Sequence, residues 1–247
     1  MALLHDYAEQ VTALLHRLVD EEAENIRKAA QILADAIAGD GRIFAFGCTH
    51  SSTVLQDILV RAGGLMLINP IFAPGLEAID THPVTLSSAI ERLEGYAAGI
   101  LDNTPIRAGD VLILVSVSGR NAVPVEMAME AKARGIKVIA MTSMTYTQSV
   151  ESRHSSGRKM YEFADVVLDN KAPKGDAILS VAGVPQRICP VSGVTGPALL
   201  QMLVAATVEE LLARGVTPPV FLAANVEGGD EYNAALLAQY KDRIFYL

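Results

Sequence analysis

The stretch DVLILVSVSGRN, Asp110 to Asn121, decides the reading of this chain. Val111 to Ser116 are consecutive apolar or small residues and read as a buried strand, with β-branched residues prominent among them. The strand runs into Ser116, Ser118, Gly119 and Asn121, and a helix is predicted from about Pro124. Hydroxyls and a glycine between a strand and a helix N-terminus build an anion site. The free N–H groups of the first helical turn face the ligand, and the macrodipole favours negative charge. The serine hydroxyls add donors, Gly119 allows close backbone approach, and a phosphate is the expected guest.

A second unit of this kind lies upstream in RIFAFGCTHSST, Arg42 to Thr53. Ile43 to Phe46 read as a short strand, Gly47 as the turn, and Ser51, Ser52 and Thr53 as hydroxyls opening a helix. One such unit alone can be an ordinary helix cap. Two of them place two loops at the carboxyl ends of neighbouring parallel strands, where open α/β sheets bind ligands.

The rest of the chain supports that architecture. Residues 3–38 carry a helical stripe of Leu4, Tyr7, Val11, Leu14, Leu15 and Leu18, resumed by Ile26, Ala29, Leu33 and Ile37. The charged segment Asp20–Asn25 reads as a break or an exposed turn. Strands are predicted at 42–46, 65–68, 111–116, 136–141 and 166–168. Helices are predicted at 51–62, 123–134, 197–214 and 231–241, and at 88–101 behind a Ser88-x-x-Glu91 capping box. Residues 69–86 read as irregular, and Pro173, Gly175, Pro185 and Pro190 make 170–193 a loop or edge strand. The βαβα order predicts one doubly wound domain over 1–247, with 1–38 as a helical extension and 39–247 as the α/β core.

Composition narrows the function. With 20 basic and 28 acidic residues the net charge is −8, so bulk nucleic-acid or membrane-surface binding is not expected. An anion must be held by local donors. Two cysteines, Cys48 and Cys189, are too few for a disulfide framework, and no Cys/His cluster suggests a metal. No cofactor is expected. No signal peptide pattern opens the chain and no apolar run reads as a membrane span, so a cytoplasmic setting is expected.

GCTHSS at 47–52, DVLILVSVSGRN, AMEAKARGIKVIAMTS at 128–143 and ADVVLDN at 164–170 together resemble sugar isomerase (SIS) domain proteins. The likeness covers roughly residues 30 to 170. It is strongest to a small bacterial group labelled as phosphoheptose isomerases. The resemblance implies a five-stranded parallel sheet flanked by helices, phosphosugar binding, and homodimers or homotetramers with shared sites. It implies Ser51 and Ser52 as first-loop hydroxyls, and Ser116, Ser118, Gly119 and Asn121 as a phosphate cradle. Asn121 stands where many relatives have Thr, and His50 where they carry a small residue.

Two family features are altered. Val60 and Arg61 occupy the region of a catalytic Glu, and helix 197–214 lacks the His of the isomerases. Leu93-Glu94-Gly95 before the VSVSGR strand resembles the related muramic acid phosphate etherases. Aldose–ketose isomerisation needs a base between adjacent carbons and an acid to move oxygen protons. The candidate carboxylates are Asp57, Glu77, Glu91 and Glu94. An ion pair with Arg61 competes for Asp57. Glu94 or Glu77 is expected as the base, with His50 assisting. His82 reads as a turn or site residue, and His154 with Arg153 and Arg158 as a polar surface or phosphate contact. Lys171 and Lys174 sit at the ligand end of the sheet. A phosphosugar isomerase leads. A non-catalytic sugar-phosphate sensor and an amino-sugar-phosphate lyase or deaminase are the alternatives.

Overall fold

A computed structural model describes residues 2–78 and 80–247; Met1 and Ile79, the latter in the irregular 69–86 stretch, lie outside the described residues. Five parallel strands form the central sheet in the order β2-β1-β3-β4-β5. They are β1 (Ile43–Gly47), β2 (Ile68–Pro70), β3 (Val111–Val115), β4 (Lys137–Thr142) and β5 (Val166–Asp169). Their period-2 side chains separate two cores. Ile43, Ala45, Val111, Ile113, Val115, Ile139 and Met141 face one way. Phe44, Phe46, Leu112, Leu114, Val138 and Ala140 face the other. Burial on both faces explains the near-continuous apolar strands that the sequence displays.

The first face is covered by α1 (Ala2–Ala38), α2 (His50–Gln56) and α7 (Ser192–Ala213), and the second by α4 (Tyr96–Asp102) and α5 (Ala122–Ala133). By length and composition α7 could cross a membrane, contrary to the expectation that no apolar run approaches that length. Here its apolar side chains Leu199, Leu200, Leu203, Val204 and Leu211 pack in the core against the sheet and α1.

The strand read at 65–68 is β2 at Ile68–Pro70, and four longer segments also differ from the sequence reading. The α1 helix runs unbroken for 37 residues, and the acidic segment is no exposed turn. Glu22 is buried, and its carboxylate meets Lys171 Nζ at 2.6 Å. Asp169 and Glu21 also bind that ammonium, at 3.2 and 3.1 Å. Lys171 is therefore an anchor between α1 and the end of β5 rather than a free ligand contact; Lys174 stays exposed. Burial opposes its charge, yet the bonds to Glu22 and Glu21 and the charge of Asp169 hold its pKa above the ordinary lysine value.

The predicted helix 51–62 stops at Gln56. Val60 has a positive φ of 44°, and Ile58 and Leu59 turn into the core. Arg61 does pair with Asp57, as the i,i+4 spacing suggests. The predicted helix 88–101 is two helices, α3 (Val84–Ile90) and α4, so the Ser88/Glu91 capping box does not form. The cause is Glu126 of α5. Its carboxylate accepts from Gly95 N at 2.8 Å and Ala97 N at 3.0 Å, capping α4 from outside while Gly95 takes φ 85°. Residues 170–193 contain an antiparallel hairpin, β6 (Ala177–Val181) and β7 (Val184–Pro190), which lies outside the main sheet.

The Lys171 cluster is a stability determinant. The Lys171 and Glu22 side chains are only 7% and 4% exposed, so Lys171→Met strands a buried carboxylate and should cost roughly 3 kcal/mol in urea unfolding. Glu22→Leu added to it should recover part of that loss. A single-variant loss below about 1 kcal/mol would show that the anchor is solvated.

Candidate functional site

The strand order reverses between β1 and β3: β2 lies to one side of β1, β4 and β5 to the far side of β3. Loops leaving adjacent strands at such a switch point diverge and leave a crevice at the carboxyl end. A cavity of about 340 Å³ opens there. Thr49, His50 and Ser51 from the β1 loop line it, as do Ser116, Val117, Ser118 and Asn121 from the β3 loop. Glu91, Tyr146, Asp176 and Ser192 close it.

The β3 loop is fixed from outside. The Val117 carbonyl accepts from Ser143 N at 3.0 Å and Thr142 Oγ1 at 3.1 Å, Gly119 O from Met160 N at 3.1 Å, and Arg120 O from Arg153 N at 2.8 Å. With the carbonyls spent outward, the N–H groups of Ser118, Arg120 and Asn121 find no acceptor among the described residues. That is an anion nest at the start of α5. Gly119 has φ 57°, and an added Cβ would lie 3.0 Å from Thr147 Oγ1 and 3.1 Å from Thr142 Oγ1. Its N–H donates to Ser116 Oγ at 3.2 Å, which leaves the Ser116 proton free to donate.

The first loop is similarly braced. Thr49, at φ 52° and ψ −128°, donates its N–H to Leu76 O at 2.7 Å. Its conformation is sparsely populated for a β-branched residue, and the bracing keeps it there. Ser51 reaches the cavity. Ser52 does not: it is buried, donating Oγ to Thr49 O at 2.7 Å and accepting from Ala78 N at 3.1 Å. It holds the loop rather than facing a ligand.

The carboxylates sort differently from the sequence reading. Glu94 points away from the cavity; its carboxylate accepts from Ser155 N at 2.6 Å and Ser155 Oγ at 2.7 Å, which lowers its pKa. Glu77 pairs its backbone with Thr49 beside the first loop and is not among the cavity-lining residues. Glu91 lines the cavity and is buried. Burial raises its pKa, with the Asn121 side chain, Arg153 and Arg92 drawing it partly back. The buried Cys48 thiol is pushed up by desolvation and by the nearby Glu91 charge. His50 stands exposed on the rim. His82 is exposed, and His154 is buried with Nδ1 at 2.8 Å from Ser156 Oγ.

Glu91 was weighed as one of four carboxylates, but its capping-box position suggested a helix start. Asp176, Ser192 and Tyr146 had no site signal in sequence. Asp176 accepts from Ser192 N and Ser192 Oγ, at 2.8 and 2.6 Å, and so already occupies the α7 N-terminus with a negative charge. An anion is therefore directed to the α5 side. Among the described residues no cluster of three or more His, Cys, Asp or Glu is placed to hold a metal.

A profile of the SIS domain matches residues 6–143, more than half of the chain. The chain belongs to the SIS-domain family. It is 46% identical over 244 residues, 99% of this chain and 97% of the relative, to a UPF0309 protein of Streptomyces griseus. A UPF0309 protein of Shouchella clausii is 42% identical over the whole length of both. Among solved structures, phosphoheptose isomerase from Neisseria gonorrhoeae superposes with a TM-score of 0.53 at 20% identity, covering 86% of this chain and 98% of that one. The sugar isomerase domain of an RpiR transcription factor from Sphaerobacter thermophilus gives 0.51 at 17% identity, covering 98% and 99%. These likenesses establish the five-stranded fold with its long N-terminal helix.

A buried carboxyl with a raised pKa costs stability when ionised. Its stabilising contribution is complete below the unfolded-state value and is lost as pH rises through the higher folded-state value. Glu91→Gln should therefore melt higher than the parent at neutral pH, with the gap closing as pH falls below the ordinary carboxylate range. Calorimetry across pH checks this. A variant that melts lower at neutral pH would show that the Glu91 charge is well paired.

Proposed function

We propose that this chain binds a phosphosugar at the switch-point cavity and acts on it as an aldose–ketose sugar-phosphate isomerase. Ser51, Ser116, Ser118, Gly119 and Asn121 hold the phosphate, with Ser52 bracing the first loop. Glu91, in place of Glu94 or Glu77, is the base. The observation that carries this is a buried, raised-pKa carboxyl on the wall of a cavity whose other walls are hydroxyls and free N–H groups. A pKa lifted toward the working pH suits a group that must take and return a proton. Glu91 removes the proton from the carbon next to the carbonyl and returns it to the neighbouring carbon, while His50 at the rim assists proton movement between the oxygens. The loop donors hold the substrate in register.

One observation favours a second reading, an amino-sugar-phosphate lyase. His50 is exposed, and Asp176 is committed to the α7 N-terminus, so among the described residues Glu91 is the one cavity-lining carboxyl left to exchange protons. Elimination asks less of a second acid–base group: the proton leaves the carbon beside the carbonyl, and the substituent on the next carbon departs with its electron pair. A sensor, by contrast, gains nothing from a desolvated base. The reading includes a single domain over 1–247 working in the cytoplasm as a homodimer or homotetramer.

Thermal shift against heptose, hexose and N-acetylamino-sugar phosphates, followed by NMR of each hit in D2O, tests all three. Deuterium entry with a new ketose or aldose signals the isomerase, an olefinic product the lyase, and stabilisation without conversion the sensor. Ser118→Ala should weaken binding about tenfold. Glu91→Gln should keep binding and lose turnover about 100-fold to 10,000-fold. Glu94→Gln should change neither. Full turnover in Glu91→Gln removes the assigned base, and unchanged affinity in Ser118→Ala removes the phosphate cradle.

A further inference from the structure

Three arginines gather beside the cavity. Arg153 lies against the β3 loop: its N–H donates to Arg120 O at 2.8 Å, and its Nη1 donates to Asn121 Oδ1 at 2.9 Å. Arg120 is half-buried in the loop, and its Nε is buried with no partner among the described residues. Arg92 follows Glu91, whose carbonyl accepts from Val123 N at 3.0 Å, so Arg92 is held near the start of α5. Among the described residues none of the three guanidinium groups forms a salt bridge. Glu94 is bound by Ser155 and Glu162 by Arg158, while Glu91 feels the charges of Arg92 and Arg153 without forming an ion pair among the described residues. Burial, then the charges of Arg92 and Arg120, lower the pKa of Arg153 against the opposing pull of Glu91 and Tyr146, so the three arginines lie within electrostatic reach of one another.

Three like charges held together cost free energy, and the one buried carboxyl beside them, Glu91, offsets that only in part although the chain has eight more acids than bases. The guanidinium fork matches a phosphate or a carboxylate in two parallel bonds, and an anion arriving there would relieve the repulsion. The serine loop already offers its own N–H groups to one phosphate. We propose that Arg92, Arg120 and Arg153 form a second anion subsite beside that loop, so that the ligand is a sugar phosphate carrying a second anionic group, either another phosphate or a carboxylate. This rests on the phosphosugar reading above and narrows its substrate class.

Isothermal titration at one ionic strength with fructose 6-phosphate, fructose 1,6-bisphosphate and 6-phosphogluconate tests it. At least one doubly anionic sugar should bind about tenfold tighter than the monophosphate; which one does so separates phosphate from carboxylate. In Arg92→Gln, an exposed position outside the serine loop, that preference should fall several-fold with the monophosphate affinity retained. In Arg92→Gln/Arg153→Gln it should vanish, with melting curves confirming the fold. Equal affinity for all three sugars overturns the inference and leaves the phosphosugar reading standing. A preference that survives in the double variant, if the variant is folded, also overturns it. Failure of every sugar to bind overturns both.

Discussion

The site depends on where the β3 loop spends its carbonyls. Val117, Gly119 and Arg120 give theirs to Ser143, Met160 and Arg153, all on the far side from the first loop. A short loop whose carbonyls are bound on one side turns its N–H groups to the other. The seat for an anion is thus a by-product of β4 pairing beside β3, which brings Thr142 and Ser143 against the loop. Gly119 is the residue that lets the chain pass this close. Any side chain there must displace two threonine hydroxyls and adopt a left-handed backbone.

Glu91 reaches the cavity through a different constraint. A helix continuing from α3 into α4 would carry residues 91–95 along one axis. Glu126 prevents this by supplying acceptors to Gly95 and Ala97, so the chain turns and α4 begins afresh. The turn leaves Glu91 at the end of α3, facing the loops of β1 and β3. A buried structural carboxylate, Glu126, therefore places the buried candidate base, and both depend on α5 packing beneath them. Neither is solvated enough to be replaced without consequence, which ties the position of the candidate base to the integrity of the second core.

The sheet was legible because a strand buried on both faces must be apolar throughout, as β1 and β3 are and as Val138–Met141 of β4 are. The long α1 was legible from its stripe, but not its continuity: an acidic run reads as exposed unless a buried cation is known to await it, and Lys171 comes 149 residues after Glu22. The break between α3 and α4 was hidden for the same reason, since Glu126 lies 31 residues after Gly95. The β6–β7 hairpin was read as loop or edge strand because Pro173, Gly175, Pro185 and Pro190 punctuate the segment, and it contributes no strand to the main sheet to demand an apolar pattern. Local signals pointed to Ser51, Ser116, Ser118 and Asn121, which line the cavity and whose setting is strand–loop–helix within a dozen residues. The same signals also pointed to Ser52, Glu77 and Glu94, which are not among the lining residues and are held by partners distant in sequence.

The electrostatics of the cavity follow from how each nearby helix start is filled. Asp176 supplies a carboxylate to the N-terminus of α7, and Glu126 does the same for α4. Both therefore present a helix end that is already neutralised and has little further attraction for an anion. The α5 terminus is capped by no carboxylate; Asn121 stands there with its Oδ1 turned to Arg153. In a chain of net charge −8 an incoming anion must be held by local donors, and the α5 start offers its dipole with no carboxylate against it among the described residues. Of the α4, α5 and α7 starts, only that of α5 carries no carboxylate among the described residues, and Glu91 stands near it in a setting where desolvation disfavours its own negative charge.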